Sequence, residues 1–241
     1  MMSPRLNEIW VYLAASPLIG LTATLIAYVF AFRIYERARF SPLANPVMIS
    51  VAILVTVLTV TGTPYKTYFD GAQFVHFLLG PATVALAVPL YENRKRVAAA
   101  VLPMLVALAV GSLTAIVSVV LLAKAFGLPR DIILSLAPKS VTAGVAMGIS
   151  ESLHADPSLT AVSVILTGIM GAIIVTPLMN FTGITDYRGR GFAAGIAAHG
   201  IGTARAFQVD EVAGVFAGIA MSLNALVTSL LVPLAVTYLL R

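Results

Sequence analysis

Long apolar stretches recur along the whole chain, and only short polar connections separate them. A transmembrane helix needs about 20 predominantly apolar residues. Eight stretches approach or exceed this length: 9–32, 46–62, 73–90, 97–123, 132–153, 159–180, 192–209 and 212–240. The pattern predicts an all-α polytopic integral membrane protein with seven to eight spans, forming one transmembrane domain over residues 1–241. The first apolar stretch is too long for a cleavable signal peptide, so we count it as a span.

The composition excludes the other broad classes of protein. Hydrophobic residues make up 59% of the chain and charged residues only 10%, against about 45–50% and 25% in soluble domains. The mean hydropathy of +0.98 also excludes a disordered chain. The net charge is +5, but no basic run is interleaved with aromatic residues, so the expected partner is the lipid bilayer and not nucleic acid.

Two basic clusters indicate the orientation in the membrane. They follow the first and third apolar stretches, at Arg33, Arg37 and Arg39 and at Arg94, Lys95 and Arg96. Basic residues concentrate in cytoplasmic loops, which predicts a cytoplasmic position for both clusters and an external N-terminus. Arg188 and Arg190 do not fit if every later stretch crosses fully, so one later segment could be re-entrant.

An internal echo occurs at a constant offset of 57 residues. It pairs Pro81, Val84, Val88, Gly111, Ala115, Ile116 and Leu121 with Pro138, Val141, Val145, Gly168, Ala172, Ile173 and Leu178. The pairing is consistent with an internal repeat. Apolar composition alone is the alternative explanation.

Three of the apolar segments contain residues that interrupt helices. The interruptions are at Gly80 and Pro81, at Pro138, and at Gly200 and Gly202. In lipid, the backbone groups freed by a break need partners in the protein or in a water-lined cavity. Paired broken helices build the substrate sites of many secondary transporters, whereas a single break is often a packing kink.

Lys139 is the most informative charged residue, because it follows the helix-breaking Pro138 inside segment 132–153. A charge at membrane depth costs about 2.5–3.5 kcal/mol and usually marks function. With the hydroxyls of Ser140 and Thr142, Lys139 predicts an anion-binding site. A lysine that extends to the membrane surface is the alternative.

Segment 192–209 carries a second polar group, formed by His199, Thr203 and Arg205. Arginine binds carboxylates through two parallel hydrogen bonds, and histidine can carry a proton near neutral pH. The alternative is a structural Arg205 balanced by nearby acidic residues. Glu151 and Asn224 are secondary candidates.

No signature of an enzyme, a metal site or a cofactor site stands out in the sequence. His154 and Asp156 are too sparse for a metal site. We therefore expect no enzyme activity, no metal and no cofactor.

Four strings in this sequence resemble the LrgB/CidB family of membrane proteins over nearly the whole chain. They are LLGPATVALAVPLY at 78–91, APKSVT at 137–142, PSLTAV at 157–162 and HGIGTARA at 199–206. The chain departs from the family pattern at Ala143, at Ala198 and at 154–156. These departures affect the expected substrate and not the family.

The resemblance implies two different functions. Bacterial members are described as holin-like or antiholin-like regulators of murein hydrolase activity and lysis, acting with a small LrgA/CidA-type partner. Plastid relatives are glycolate and glycerate translocators, and some bacterial members are linked to pyruvate uptake. Lys139 and Arg205 favour an ion- or proton-coupled transporter of small 2-hydroxy and 2-oxo monocarboxylates. We expect it to be a homodimer in the bacterial cytoplasmic membrane, with the holin-like regulator as the alternative.

Overall fold

The computed structural model describes residues 17–78, 81, 84 and 87–240, which form helices joined by short non-helical connections, with no strand among them. The chain divides into two compact units, Met1–Ala87 and Val88–Arg241. The single domain over residues 1–241 stays a prediction.

The first unit contains α1 (Pro17–Arg37), a 3₁₀ turn (Pro42–Ala44), α2 (Pro46–Thr61) and α3 (Tyr65–Phe77). Helix α1 packs against both α2 and α3. Its Gly20 lies against the backbone of α3, where a side chain would overlap the carbonyl of Tyr68. The Thr24 and Tyr68 hydroxyls are hydrogen-bonded at 2.7 Å across the same contact.

The second unit contains α4 (from Ala87 to Glu92), α5 (Arg94–Ala99), α6 (Val101–Ala125), α7 (Arg130–Leu136), α8 (Ala143–Ser152), α9 (Pro157–Phe181), α10 (Tyr187–Val209) and α11 (Glu211–Leu239). Aspartate side chains cap three of these helices. Asp156, Asp186 and Asp210 accept hydrogen bonds from backbone N–H groups in the first turns of α9, α10 and α11. These caps satisfy donors that a helix start leaves free.

Four described helices are long and apolar enough to cross a membrane: α1 from Leu18, α6, α9 and α11. Helix α2 is apolar but shorter. Apolar side chains also cover the outside of these helices, as at Leu102 and Leu166, which are 73% and 57% exposed. The chain is therefore a multi-pass membrane protein, as predicted. Predicted segments 9–32 and 73–90 lie partly outside the described residues.

Predicted segment 132–153 folds back on itself. Helices α7 and α8 are separated by non-helical residues 137–142. The Thr160 hydroxyl lies 2.9 Å from the carbonyl oxygen of Ser135 in α7 and 2.8 Å from the hydroxyl of Ser150 in α8. In a straight helix, Ser135 and Ser150 would be about 22 Å apart. Helices α7 and α8 therefore form a hairpin, which we call the first hairpin (residues 130–152).

Predicted segment 192–209 also folds back. Helix α10 is interrupted at Ala198 (φ −131°, ψ 17°) and His199 (φ 40°, ψ −134°). A β-carbon added at Gly202 would lie only 2.7 Å from the carbonyl oxygen of Ala194, although a straight helix would separate these residues by about 12 Å. Helix α10 is therefore a second hairpin (residues 187–209).

Both segments are interrupted, as the sequence predicted, but each reverses its direction at the break and does not cross as a broken span. Hydropathy shows only that a segment is apolar. The two arms of a hairpin can both be apolar although the hairpin does not cross the membrane. The first hairpin precedes α9 and the second follows it. The open ends of the hairpins therefore lie at opposite ends of α9.

The element bounds repeat with the offset seen in the sequence. A shift of 57 residues carries 130–152 onto 187–209, and it brings α6 onto α9 to within one residue. Since the first hairpin returns to the end where α6 stops, α6 and α9 run in opposite directions. The two halves thus have the inverted topology of many transporter repeats.

Candidate functional site

The tips of the two hairpins meet at Asn224, which lies in the middle of α11 and is 1% exposed. Its amide nitrogen donates to the carbonyl oxygens of Ser140 and Ile196, at 3.3 and 3.1 Å. Its amide oxygen accepts from the hydroxyls of Ser112 and Thr228, at 2.7 and 3.1 Å. The hydrogen-bonding capacity of the amide is fully used.

The hydrogen bonds of Asn224 compensate for backbone hydrogen bonds that both hairpins lose at their breaks. A helix break inside an apolar environment removes the regular partners of nearby backbone carbonyls. Ser140 belongs to the break of the first hairpin, and Ile196 lies two residues before the break of the second. One side chain supplies a donor to each.

A cavity of about 590 Å³ lies beside the tips, and Lys139 lines it. It is open along α9, where the exposed side chains of Leu166, Met170, Ile174 and Leu178 border it. One wall is a face of α9 that includes Thr167 and Gly171, and the other is the first arm of the second hairpin. This arm contributes small side chains: Ala193, Ala194, Ala197 and Ala198. Among the described residues around the cavity, Lys139 carries the only charge. The cavity therefore combines one cation with space for a small molecule.

Local structure fixes the position of Lys139. Pro138 is almost fully buried, and it lies in the break, as the sequence predicted. The backbone N–H of Lys139 donates to the carbonyl of Leu136 at 3.2 Å, which makes a tight turn. Ser140 is buried behind this turn, and Thr142 precedes α8 without a capping hydrogen bond from its side chain.

His199 occupies the tip of the second hairpin. Its φ of 40° lies in a region that side chains rarely adopt. The ring is buried, and its Nε2 lies 2.9 Å from the carbonyl oxygen of Val164 in α9. Gly168 provides the room, because a β-carbon there would lie 2.6 Å from the ring. The Thr203 hydroxyl donates to the His199 carbonyl at 2.9 Å.

His199 and Thr203 are thus part of the packing of the tip, and neither is among the residues that line the Lys139 cavity. This position differs from the predicted one, in which both residues contact the substrate. The side chains satisfy the broken backbone and join the second hairpin to α9.

Arg205 does not share a cavity with Lys139. It lines an adjoining space of about 20 Å³ with Arg190 and Tyr187, and Val175 and Ala194 border both spaces. The second arm of the hairpin runs back from the tip, so Arg205 lies about 9 Å along the helix from His199. Binding of one carboxylate by both Lys139 and Arg205 stays a prediction.

The glycines of the second hairpin also differ from prediction. The break lies at Ala198 and His199, and Gly200 and Gly202 belong to the helical arm that follows. Gly202 allows the two arms to approach each other. Glu151 is exposed near the open end of the first hairpin, far along α8 from the tip.

The predicted break at Gly80 lies outside the described residues. Pro81 is described, but residues 79, 80, 82 and 83 around it are not.

The sequence reasoning missed Ser112, Thr228, Gly168 and Gly171. The first two orient Asn224, and the glycines accept the tip of the second hairpin. Gly168 had a detectable signal, because it is one of the residues in the internal echo. The hydroxyls had none, since serine and threonine are common in membrane helices.

Outside the apolar segments, Asp186 and Arg188 form an ion pair at 2.7 Å at the open end of the second hairpin. Hydrogen bonds from Arg188 hold the pKa of the Asp186 carboxyl below its ordinary value. This pair lines a cavity of about 380 Å³ together with Ala99 and Ala100. The start of α6 and the end of α9 therefore lie at the same end of the second unit.

Comparisons with known proteins agree with the family that the motifs suggest. The sequence model of the LrgB-like family matches residues 24–238. The chain is 34% identical over 221 residues to the uncharacterized protein YwbG of Bacillus subtilis (strain 168), covering 92% of this chain and 98% of that protein. It is 32% identical to the holin-like protein CidB of Staphylococcus epidermidis, covering 88% and 93%. CidB of Staphylococcus aureus is also 32% identical, with 91% and 95% covered.

No solved structure gives a significant match to the chain. The family match spans most of the sequence, and the relatives align over nearly their full lengths. The chain belongs to the LrgB-like family of membrane proteins.

Proposed function

We propose that this protein transports small organic anions, of the 2-hydroxy and 2-oxo monocarboxylate class, across a bacterial cytoplasmic membrane. The observation that carries the proposal is the position of Lys139, at a broken helix tip in a cavity of about 590 Å³. A charged group at membrane depth needs a partner or a hydrated cavity. A small anion supplies that partner.

The two opposed hairpins support transport. Their tips meet near the middle of α9 and α11, and each hairpin opens toward a different end of the unit. Discontinuous helices that meet at the midplane bind substrate in many transporters. Movement of one hairpin at a time would expose the site to one end and then to the other.

The chemistry of the cavity suggests the class of substrate. One ammonium group matches one carboxylate. The Thr167 hydroxyl lies in the same cavity and can bond the 2-hydroxy or 2-oxo oxygen. The rest of the wall is apolar or small, which suits a short carbon chain and disfavours a second negative charge.

The test is uptake of radiolabelled glycolate, glycerate and pyruvate into proteoliposomes, with and without a proton gradient. Lys139→Ala should reduce uptake to less than about a tenth of the wild-type rate, because the lost charged hydrogen bond contributes about 1.5–3 kcal/mol. Lys95→Ala is the matched control, since Lys95 is exposed outside the apolar segments. Wild-type proteoliposomes that take up none of these acids would overturn the proposal.

A second function is favoured by the names of the relatives. Two of the relatives above are called holin-like protein CidB, and these names support a holin-like regulator of lysis more directly than they support transport. Such a protein, acting with a small LrgA/CidA-type partner, would permeabilise the membrane. Release from liposomes of a dye far larger than a three-carbon acid, unchanged in Lys139→Ala, would support this function over the first.

A further inference from the structure

We propose that Asn224 is a positioning residue that ties the tips of the two hairpins together and thereby holds Lys139 in the cavity. The amide nitrogen has two protons, and the structure directs one to each tip, at Ser140 and at Ile196. The role of Asn224 in transport rests on the proposed function, whereas its role in holding the two tips together is independent of that function.

The orientation of the amide follows from its partners. Backbone carbonyls only accept hydrogen bonds, so the nitrogen side of Asn224 must face Ser140 and Ile196. The oxygen side then faces the Ser112 and Thr228 hydroxyls, which can donate to it. The nitrogen side of the amide thus holds the two tips, and the oxygen side is bonded to α6 and α11. A substitution can remove the donors of the nitrogen side and keep an acceptor on the other.

The two carbonyls come from nearly equivalent places in the repeat. The offset of 57 residues carries Ser140 onto Ala197, one residue after Ile196. Asn224 therefore lies where the two halves of the repeat meet, and it contacts each half once. A movement of about 1 Å by either tip would stretch one of these bonds beyond hydrogen-bonding distance.

The connection reaches the cavity on both sides. Ser140 directly follows Lys139 in the chain. Ile196 directly precedes Ala197 and Ala198, which line the opposite wall of the cavity. Asn224 itself is buried and is absent from the residues around the cavity. It acts on the site by fixing the backbone that presents Lys139 and the facing wall.

The chain contains no cysteine, so a single introduced cysteine reports on one position. Ile196→Cys places a thiol beside the tip of the second hairpin, at a position that is only 6% exposed and whose carbonyl accepts from Asn224. We would measure its rate of reaction with a water-soluble maleimide in proteoliposomes. Gly189→Cys at the open end of the same hairpin is the reference position.

Asn224→Ala should raise the labelling rate of Ile196→Cys about tenfold, because two hydrogen bonds no longer hold the tip and the buried thiol is exposed more often. The rate at Gly189→Cys should change less than about twofold, whereas a general loosening of the protein would raise both. Ser118→Ala, at an exposed position of the same helix α6 as Ser112, should leave both rates within about twofold of wild type. An unchanged rate at Ile196→Cys in the Asn224→Ala background would overturn the proposal.

Asn224→Asp is the second variant if Asn224→Ala does not fold. It keeps an acceptor for Ser112 and Thr228 but removes the amide donors, so it should also raise the labelling rate at the tip. The apparent KM for glycolate should rise about tenfold in both Asn224 variants, since Lys139 is displaced while its charge remains.

The labelling and uptake measurements test the role of Asn224 and the proposed transport function separately. If the labelling rate changes but the wild-type protein takes up no acid, the proposed transport function is wrong and the role of Asn224 stands. If uptake is normal and labelling does not change, Asn224 does not hold the tips.

Discussion

Gly195→Ala tests whether the second hairpin depends on close backbone packing against α11. Gly195 lies on the first arm of this hairpin. A β-carbon there would overlap the backbone oxygen of Ala217 and would lie 2.8 Å from the β-carbon of Ala220. Carbon atoms pack favourably at about 3.5–4.0 Å, so the two helices would have to separate by roughly 1 Å.

The separation also affects the neighbouring tip. The carbonyl of Ile196 lies 3.1 Å from the Asn224 amide, and a further 1 Å would break this bond. Overpacking costs about 1–3 kcal/mol, and the lost hydrogen bond costs about 1 kcal/mol. Replacing glycine by alanine in a helix returns up to about 1 kcal/mol. The net loss is about 1–3 kcal/mol, which corresponds to a Tm lower by about 3–10 °C.

Thermal unfolding of the detergent-solubilised protein, followed by circular dichroism, measures this change. Gly189→Ala is the control on the same helix, because a β-carbon there meets nothing within 4 Å. The control should leave the Tm unchanged or slightly raised. Equal Tm values for Gly195→Ala and Gly189→Ala would refute the reasoning, since the close contact with α11 would then cost nothing.

Two further predictions concern the ends of the second unit. In the folded protein, hydrogen bonds from Arg188 lower the pKa of Asp186. The stability that this exposed pair contributes is therefore fully present above the ordinary carboxyl pKa of about 3.9. It is lost as the pH falls through the lowered pKa of the folded state. The small Tm difference between wild type and Asp186→Asn should therefore close below about pH 4, and a constant difference at all pH values would contradict this. Single cysteines at Gly189 and Ser158 should react with a membrane-impermeant maleimide from opposite sides of the membrane, because they lie at opposite ends of α9. Labelling of both from one side would contradict the description of α9 as a membrane-crossing helix.

The membrane character and the long helices were predictable because the criterion is local. A stretch of about 20 apolar residues is long enough to cross a bilayer whatever surrounds it, and segments 97–123, 159–180 and 212–240 correspond to α6, α9 and α11. The hairpins were not predictable in this way, because each has enough apolar residues to cross. The direction of the second arm depends on contacts with α9 and α11, which are distant in sequence.

The candidate site was predicted in part, for reasons specific to each residue. Lys139 stands out because a charged residue next to a helix-breaking proline is costly and rare inside an ordinary membrane-spanning helix. Distance along the sequence does not show that the helix reverses at His199, so it could not show that Arg205 lies on the returning arm. Glycine would be expected at a positive φ, yet the structure has His199 there, where its ring reaches the carbonyl of Val164. The importance of Asn224 depends on carbonyls whose positions only the tertiary structure defines.

The hairpins also account for the distribution of basic residues. If segment 132–153 crossed the membrane, Arg188 and Arg190 would lie opposite the cluster at 94–96. Because the first hairpin returns to the end where it entered, both basic groups lie at one end of the second unit. The connections at the other end contain Lys124 and Arg130 among the described residues.

The excess of positive charge predicts that the Arg188 end is cytoplasmic. The second hairpin then opens from the cytoplasm and the first from outside. Lys139 belongs to the hairpin that opens outside, yet it lines a cavity whose facing wall belongs to the hairpin that opens inside. In the proposed transporter, a site shared in this way would change its accessibility when either hairpin moved, which alternating access requires and a permanently open pore does not.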